Sequence, residues 1–186
     1  MNMLKFQFAV IGLGALSVVA QDWPQWGGND PGRNMYSPAK GLPDRFDPEC
    51  QRRNFDYYEA RTVHESSLSA CVHSIVASRL GYRDKAYRLF HRSVRLDLDA
   101  LNEDTRDGLH LTSMGGTWAA VAQGFAGVSV KGGRLSLAPY LPEAWRGYSF
   151  QIRFRGRRLV IAVQAGGVTV TQRDGEPMEI LIHGHP

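Results

Sequence analysis

Residues 54–69 read NFDYYEARTVHESSLS, and residues 108–118 read GLHLTSMGGTW. Each stretch sets a histidine, His64 or His110, just ahead of small hydroxyl residues where a helical apolar period begins. A helix start presents unpaired backbone N–H groups and a partial positive charge, so it holds an anion without a formal cation. His64, Ser66 and Ser67 would stand at one such start, and His110, Thr112 and Ser113 at the other. Hydroxyls donate to phosphate oxygens, and imidazole donates whether neutral or charged. Gly115 and Gly116 weaken the second helix, which points to a packing or ligand reason for them. The same residues suit a plainer role, because Ser, Thr and Asp are the ordinary helix N-caps. On the residues alone both readings stand.

Outward from these stretches the periods are clear. Apolar residues at Leu68, Cys71, Val72, Ile75, Val76 and Leu80 predict a helix over 64–80, stopped by Gly81. A second helix is expected over about 84–101, on Ala86, Leu89, Phe90 and Val94, then Leu96, Leu98 and Leu101. A third starts near Thr112 and carries Met114, Trp118, Val121, Ala122 and Phe125. After Gly127 the period falls to two: Val128/Val130, Leu135/Leu137, Phe150/Ile152/Phe154, Leu159/Ile161/Val163, Val168/Val170 and Ile180/Ile182. Turn pairs at Gly132-Gly133, Arg155-Gly156, Gly166-Gly167 and Asp174-Gly175 separate them, which predicts a run of hairpins. Pro139, Pro142, Glu143 and Trp145 form a loop between the first two hairpins.

The N-terminal part has a different character. Lys5 followed by an uncharged apolar run to Ala20 reads as a cleaved export signal over residues 1–20, too short for a spanning helix. Residues 21–50 are dense in Pro, Gly and Asn and read as extended loop, with Trp23 and Trp26 lacking a local core. This segment resembles the mature start of secreted quinoprotein-like β-propellers, although no blade-length repeat follows. The expected organisation is therefore 1–20 signal, 21–50 irregular segment, 51–126 helices and 127–186 strands. Such a signal implies a secreted or periplasmic protein, with no membrane association after cleavage.

The chain carries 186 residues and a net charge of +4. That balance suits an anionic ligand, but the basic residues are scattered apart from Arg153, Arg155, Arg157 and Arg158, which alternate as on the solvent face of strands. No nucleic-acid-binding signature is present. Cys50 and Cys71 make no disulfide framework, and Cys71 reads as a small core residue. Glu59 and Glu65 read as solvated or capping, and Asp97, Asp99, Glu103, Asp104 and Asp107 as a solvated face without calcium-loop spacing.

Residues 54–69 and 108–118, together with Ala86-Tyr87, Arg95–Asp99 and Tyr148–Gly156, resemble the C-terminal part of glycoside hydrolase family 65, the maltose, trehalose and kojibiose phosphorylases. The resemblance runs from about residue 51 to 173. It implies an α+β fold: the last helices of an (α/α)6 barrel followed by a small antiparallel β-sandwich module. It also implies an inverting reaction, in which one carboxylic acid protonates the glycosidic oxygen and phosphate attacks the anomeric carbon from the opposite face. The partners implied are a disaccharide and inorganic phosphate, the latter as co-substrate, with no other cofactor and no metal. The phosphate-binding residues carried over are His110, Ser66 and Ser67, with Thr112 and Ser113 as weaker members.

The departures matter equally. The family's acid-bearing motif, its Trp-Asp sugar-binding pair and its Lys-Gln pair have no counterpart here, so the resemblance transfers no catalytic residue. The family is usually cytoplasmic, unlike a chain opening on an export signal. Three descriptions follow: a truncated, non-catalytic family member; a secreted carbohydrate-binding or interaction module, for which Tyr140, Trp145 and Tyr148 are the aromatic cluster; and a composite joined near Pro48–Cys50. Helices without their barrel neighbours would leave apolar stripes exposed, which predicts self-association.

Overall fold

Helix α1 (Pro48–Glu59) opens on Asp47, whose backbone is extended and whose side chain accepts the N–H of Cys50 at 2.7 Å, with proline in the first turn and Glu49 beside it. The computed structural model describes residues 46–99 and 108–186. The expected signal, the stretch up to residue 45, Leu101 and the acidic residues 103–107 lie outside the described residues. Asp47-Pro48-Glu49 is a helix-start signature, and α1 runs across residues 50 and 51, where the irregular segment was expected to end.

Helix α2 (Ser69–Arg79) ends at Leu80, after which Gly81 takes a left-handed φ of 83° and turns the chain into α3 (Arg83–Val94). Helix α4 (Leu111–Ala119) continues into a π-helical turn over Ala120–Phe125. The stripe expected on α2 is partly displaced. Ala70, Cys71, Ser74 and Ala77 are its buried residues, while Leu68 and Val72 stay exposed. Small side chains win because α2 is packed between α3 and the α4–π segment at close range. A Cβ added at Gly124 would come 3.1 Å from Ser78 Oγ and 3.5 Å from Ile75 Cα. Ser74 sits fully inside this contact and donates to the Ala86 carbonyl at 2.8 Å. Helix α3 stops at Val94, short of the expected extension towards Leu101, and Val94 and Leu98 are exposed.

Six strands follow: β1 (Ser129–Lys131), β2 (Arg134–Leu137), β3 (Gly147–Phe154), β4 (Arg157–Gln164), β5 (Gly167–Gln172) and β6 (Ile180–Ile182). The first two form a hairpin with Val130 opposite Leu135, and β3, β4 and β5 form an antiparallel meander with Phe150 opposite Ile161 and Ile161 opposite Val170. Gly132 and Gly133, and likewise Arg155 and Gly156, both take positive φ, the condition for the tight two-residue turns expected there.

The last strand departs from the all-antiparallel expectation. β6 leaves the meander and pairs in parallel with β2, Ser136 opposite Leu181, so the two sheets are β1-β2-β6 and β3-β4-β5. The Asp174-Gly175 turn is pinned to the end of the meander instead of returning a strand along it. Asp174 Oδ1 accepts the Arg158 N–H at 2.5 Å, and Gln172 Nε2 donates to the carbonyls of Asp174, Gly175 and Glu176. Leu135 and Leu137 from one sheet share a core with Phe150, Leu159, Ile161 and Val163 from the other, closed by Ala122 and Ala126 at the end of the helical part.

A second core joins helices to sheets. Phe55, Leu80, Ala86, Leu89, Phe90 and Phe125 are buried together, with Tyr140, Trp145 and Tyr148 packed against them. The fully buried Phe125 ring meets Phe90, Trp145 and Tyr140 edge-on at centroid distances of 5.1, 5.2 and 5.6 Å. Tyr140, Trp145 and Tyr148 therefore serve packing. Tyr148 and Tyr140 have phenols pushed above the ordinary range by burial. The outer face of α4 and the residue ahead of its cap behave otherwise: Leu109, Leu111, Met114 and Trp118 are exposed. No helix among the described residues is long and apolar enough to cross a membrane. Both cysteines are free thiols, and Cys71 is buried as expected.

Candidate functional site

The turn before α2 is built on His64, one of three non-glycine residues with positive φ among the described residues. A left-handed backbone at a ringed residue is uncommon and persists where surroundings hold it. Here Arg92 Nη2 donates to the His64 carbonyl at 3.1 Å and His64 Nδ1 lies 2.8 Å from Ser69 Oγ. The ring also meets His73 edge-on at 4.7 Å. The chain then turns through Ser66, whose Oγ accepts the Leu68 N–H at 3.4 Å and whose carbonyl accepts the Ser69 N–H at 3.0 Å. Leu68 is the N-cap of α2, and no side chain caps this start. Ser66 is exposed and Ser67 half-buried.

At the second start His110 is itself the N-cap of α4, again without a side-chain cap bond to the helix. Its backbone N–H donates to Asp97 Oδ2 at 3.0 Å and its Nδ1 lies 2.6 Å from Asp97 Oδ1, so one carboxylate fixes both backbone and ring. Hydrogen bonding to His110 holds the Asp97 carboxyl below the usual carboxylate range. Thr112 is exposed, whereas Ser113 is buried against α3 with an Oγ that finds no partner among the described residues. Ser113 lines a cleft of about 320 Å³ with Asp97, Leu109, Met114 and Thr117.

The start of α2 packs against the middle of α4 at Gly116. A Cβ there would fall 2.3 Å from Cys71 Sγ and 3.8 Å from Leu68 Cδ2, so the α4 backbone lies directly on the first turn of α2. The glycine expected to serve packing or a ligand thus serves packing at this position. Gly115 meets nothing within 4 Å and is open.

Two acidic residues differ from their expected solvated roles. Asp97 is the holder of His110, and Glu59 is a shielded partner of Lys85, also 3.9 Å from His64 Nε2. Burial alone would raise Glu59; the Lys85 hydrogen bond and charge, with His64 and His73, outweigh it and hold the carboxyl low. Neither role has a local spacing signal, since Asp97 stands thirteen residues from His110 and Glu59 twenty-six from Lys85.

Burial lowers both His64 and His73 from the ordinary 6.5, with neighbouring cations adding to the effect. The unfolded chain then binds protons on these rings at a pH where the folded chain does not, so stability falls as pH drops below about 6.5. The thermal midpoint is expected to decline from pH 7 to 5, and His73→Gln to flatten that decline. A midpoint constant over this range would contradict the shielded neutral rings.

Among the described residues, four helices leading into two small sheets define the chain as an α+β protein. The chain belongs to glycosyl hydrolase family 65: residues 29–119 match the family's central catalytic domain and residues 128–186 its C-terminal domain. Over 143 residues it is 47% identical to the maltose phosphorylase of Bacillus subtilis (strain 168) and 45% identical to the alpha,alpha-trehalose phosphorylase of Geobacillus stearothermophilus; each match covers 77% of this chain and 19% of the relative. The kojibiose phosphorylase of Escherichia coli (strain K12) is 36% identical over the same share. A solved candidate kojibiose phosphorylase from human microbiome superposes with a TM-score of 0.70 at 37% identity, over 75% of this chain and 20% of that one. The chain thus spans about a fifth of the length of the relatives it matches. The central-domain match begins at residue 29, inside the stretch that resembled a propeller start, and that second resemblance gains no support.

Proposed function

We propose that this chain is the C-terminal region of an inverting disaccharide phosphorylase and carries the phosphate-facing part of its site, with no turnover of its own. Its helices are read as the last ones of an (α/α)6 barrel. His110, Ser66 and Ser67 face phosphate, Thr112 lies at the rim, and Ser113 is reached through the cleft between α3 and α4. The observation that carries this reading is that both helix starts lack a side-chain cap. No hydroxyl bonds an N–H inside either helix, Ser66 Oγ accepting only the N–H of the cap residue Leu68, and the backbone positive ends stand beside donor side chains. Phosphate would act as its own nucleophile, so this part of the site needs only to hold and aim a dianion.

Asp97 would aim His110, and loss of one charge-assisted hydrogen bond weakens an anion site by about tenfold or more. Phosphorus-31 line broadening with the intact chain tests it: broadening is expected with the native chain and is expected to disappear in His110→Ala. Equal broadening in both would contradict the assignment. The exposed apolar face of α4 at Leu111, Met114 and Trp118 supports self-association of the isolated chain as part of the same proposal.

A further inference from the structure

A cluster of shielded titratable groups lies beneath the Ser66 turn and has no part in phosphate contact. Glu59 ends α1, His73 stands on α2, Lys85 and Arg92 stand on α3, and all four surround His64. Their side chains are tightly placed: Glu59 keeps 15% of its exposure and His64 8%. His64 Nε2 and His73 Nδ1 are buried and have no hydrogen-bond partner among the described residues. Buried polar atoms of this kind need an explanation.

We infer that His64 is a positioning residue that ties the Ser66–Ser67 turn to the buried Glu59–Lys85 pair, so that the state of its ring sets the shape of the turn. The inference rests on the phosphate reading for its functional meaning. Three contacts hold the left-handed backbone at φ 55°: Arg92 on the carbonyl, Ser69 on Nδ1 and His73 against the ring face. The neutral ring is best served by a proton on Nε2. That N–H then points towards the Glu59 carboxylate 3.9 Å away, and the Ser69 hydroxyl donates to Nδ1. Protonation puts a hydrogen on Nδ1 as well. The Ser69 hydroxyl must then turn round and accept, and the charged Nε2–H draws towards Glu59 against the cations of Lys85 and Arg92. Ser66 is two residues further along a turn that has no slack, because its own oxygens accept from Leu68 and Ser69.

The test is nuclear magnetic resonance of the intact chain across pH 7.5 to 4.5, with the His64 ring and the amides of residues 66–69 assigned. The amides are expected to follow the His64 midpoint, and Glu59→Gln to move that midpoint to lower pH by removing the carboxylate that favours the charged ring. His64→Asn, which tolerates a left-handed backbone, is expected to keep the neutral-pH amide shifts and abolish their titration. In titrations with inorganic phosphate, His64→Ala is expected to bind about fivefold more weakly, the factor of one net hydrogen bond, with His64→Asn close to native. Should His64→Ala fail to fold, Ser69→Ala removes the Nδ1 partner and is expected to uncouple the amides from the ring. Amides that stay still while His64 titrates would overturn the inference, as would a His64→Ala chain with native amide shifts. If the native chain binds no phosphate but its amides follow His64, the phosphate reading falls and the positioning role stands.

Discussion

Mixed with phosphate and maltose, trehalose or kojibiose, the purified chain is expected to release no glucose 1-phosphate above the uncatalysed background. Two large contributions to the rate have no source in the described residues. A positioned general acid contributes about 10²–10⁴-fold, and the family's acid-bearing motif has no counterpart in this sequence. Holding sugar and phosphate in register contributes effective molarities on the order of 10⁵ M or more, which needs an enclosing wall. The four helices of the described residues, with an outward-facing apolar side, do not enclose a disaccharide. A coupled assay for glucose 1-phosphate decides the matter. Turnover near that of a full-length relative would show that an acid stands among the residues present.

Phe125→Ala is expected to be the most damaging single truncation in the fold, at about 3–5 kcal/mol. Phe125 is fully buried where the π-helical turn meets the loop to the sheets, in contact with Phe90, Tyr140 and Trp145. The rigid aromatic surround cannot collapse into the vacated space, so the cavity stays. Domains are stable by only about 5–15 kcal/mol, and this loss takes a large share of it. Leu98→Ala is the contrast: its side chain is 73% exposed, and the change is expected within about 0.5 kcal/mol. Urea unfolding of both variants measures the difference. A Phe125→Ala shift below about 1 kcal/mol would mean that helices and sheets do not share this core.

Much of the fold was legible because periods and turns are local. The alternation from Val128 onward and the glycines at 132, 133 and 156 gave the hairpins, and Gly81 gave the end of α2. What was not legible depends on pairings that no local period encodes. β6 has the alternation of any strand, yet Gln172 and Asp174 pin the turn before it and send it to the other sheet. The buried face of α2 follows the close approach of Gly116 and Gly124, so Ala70, Ser74 and Ala77 displaced Leu68 and Val72 from the core. In the candidate site, the types and order of His110 and the Ser66–Ser67 pair left an anion-binding and a capping role open, and the phosphate role came from the family resemblance. Asp97 was hidden because an aspartate in an acidic run reads as solvated until its distant histidine is placed beside it.

The proposed anion cradle at the two helix starts is tested most directly by calorimetric titration of the folded chain with inorganic phosphate. Saturable heat is expected with the native chain, together with its loss in a Ser66→Ala/Ser67→Ala variant that circular dichroism shows to be folded. A folded native chain that takes up phosphate without saturable heat would contradict the cradle and leave the two segments as structural turns.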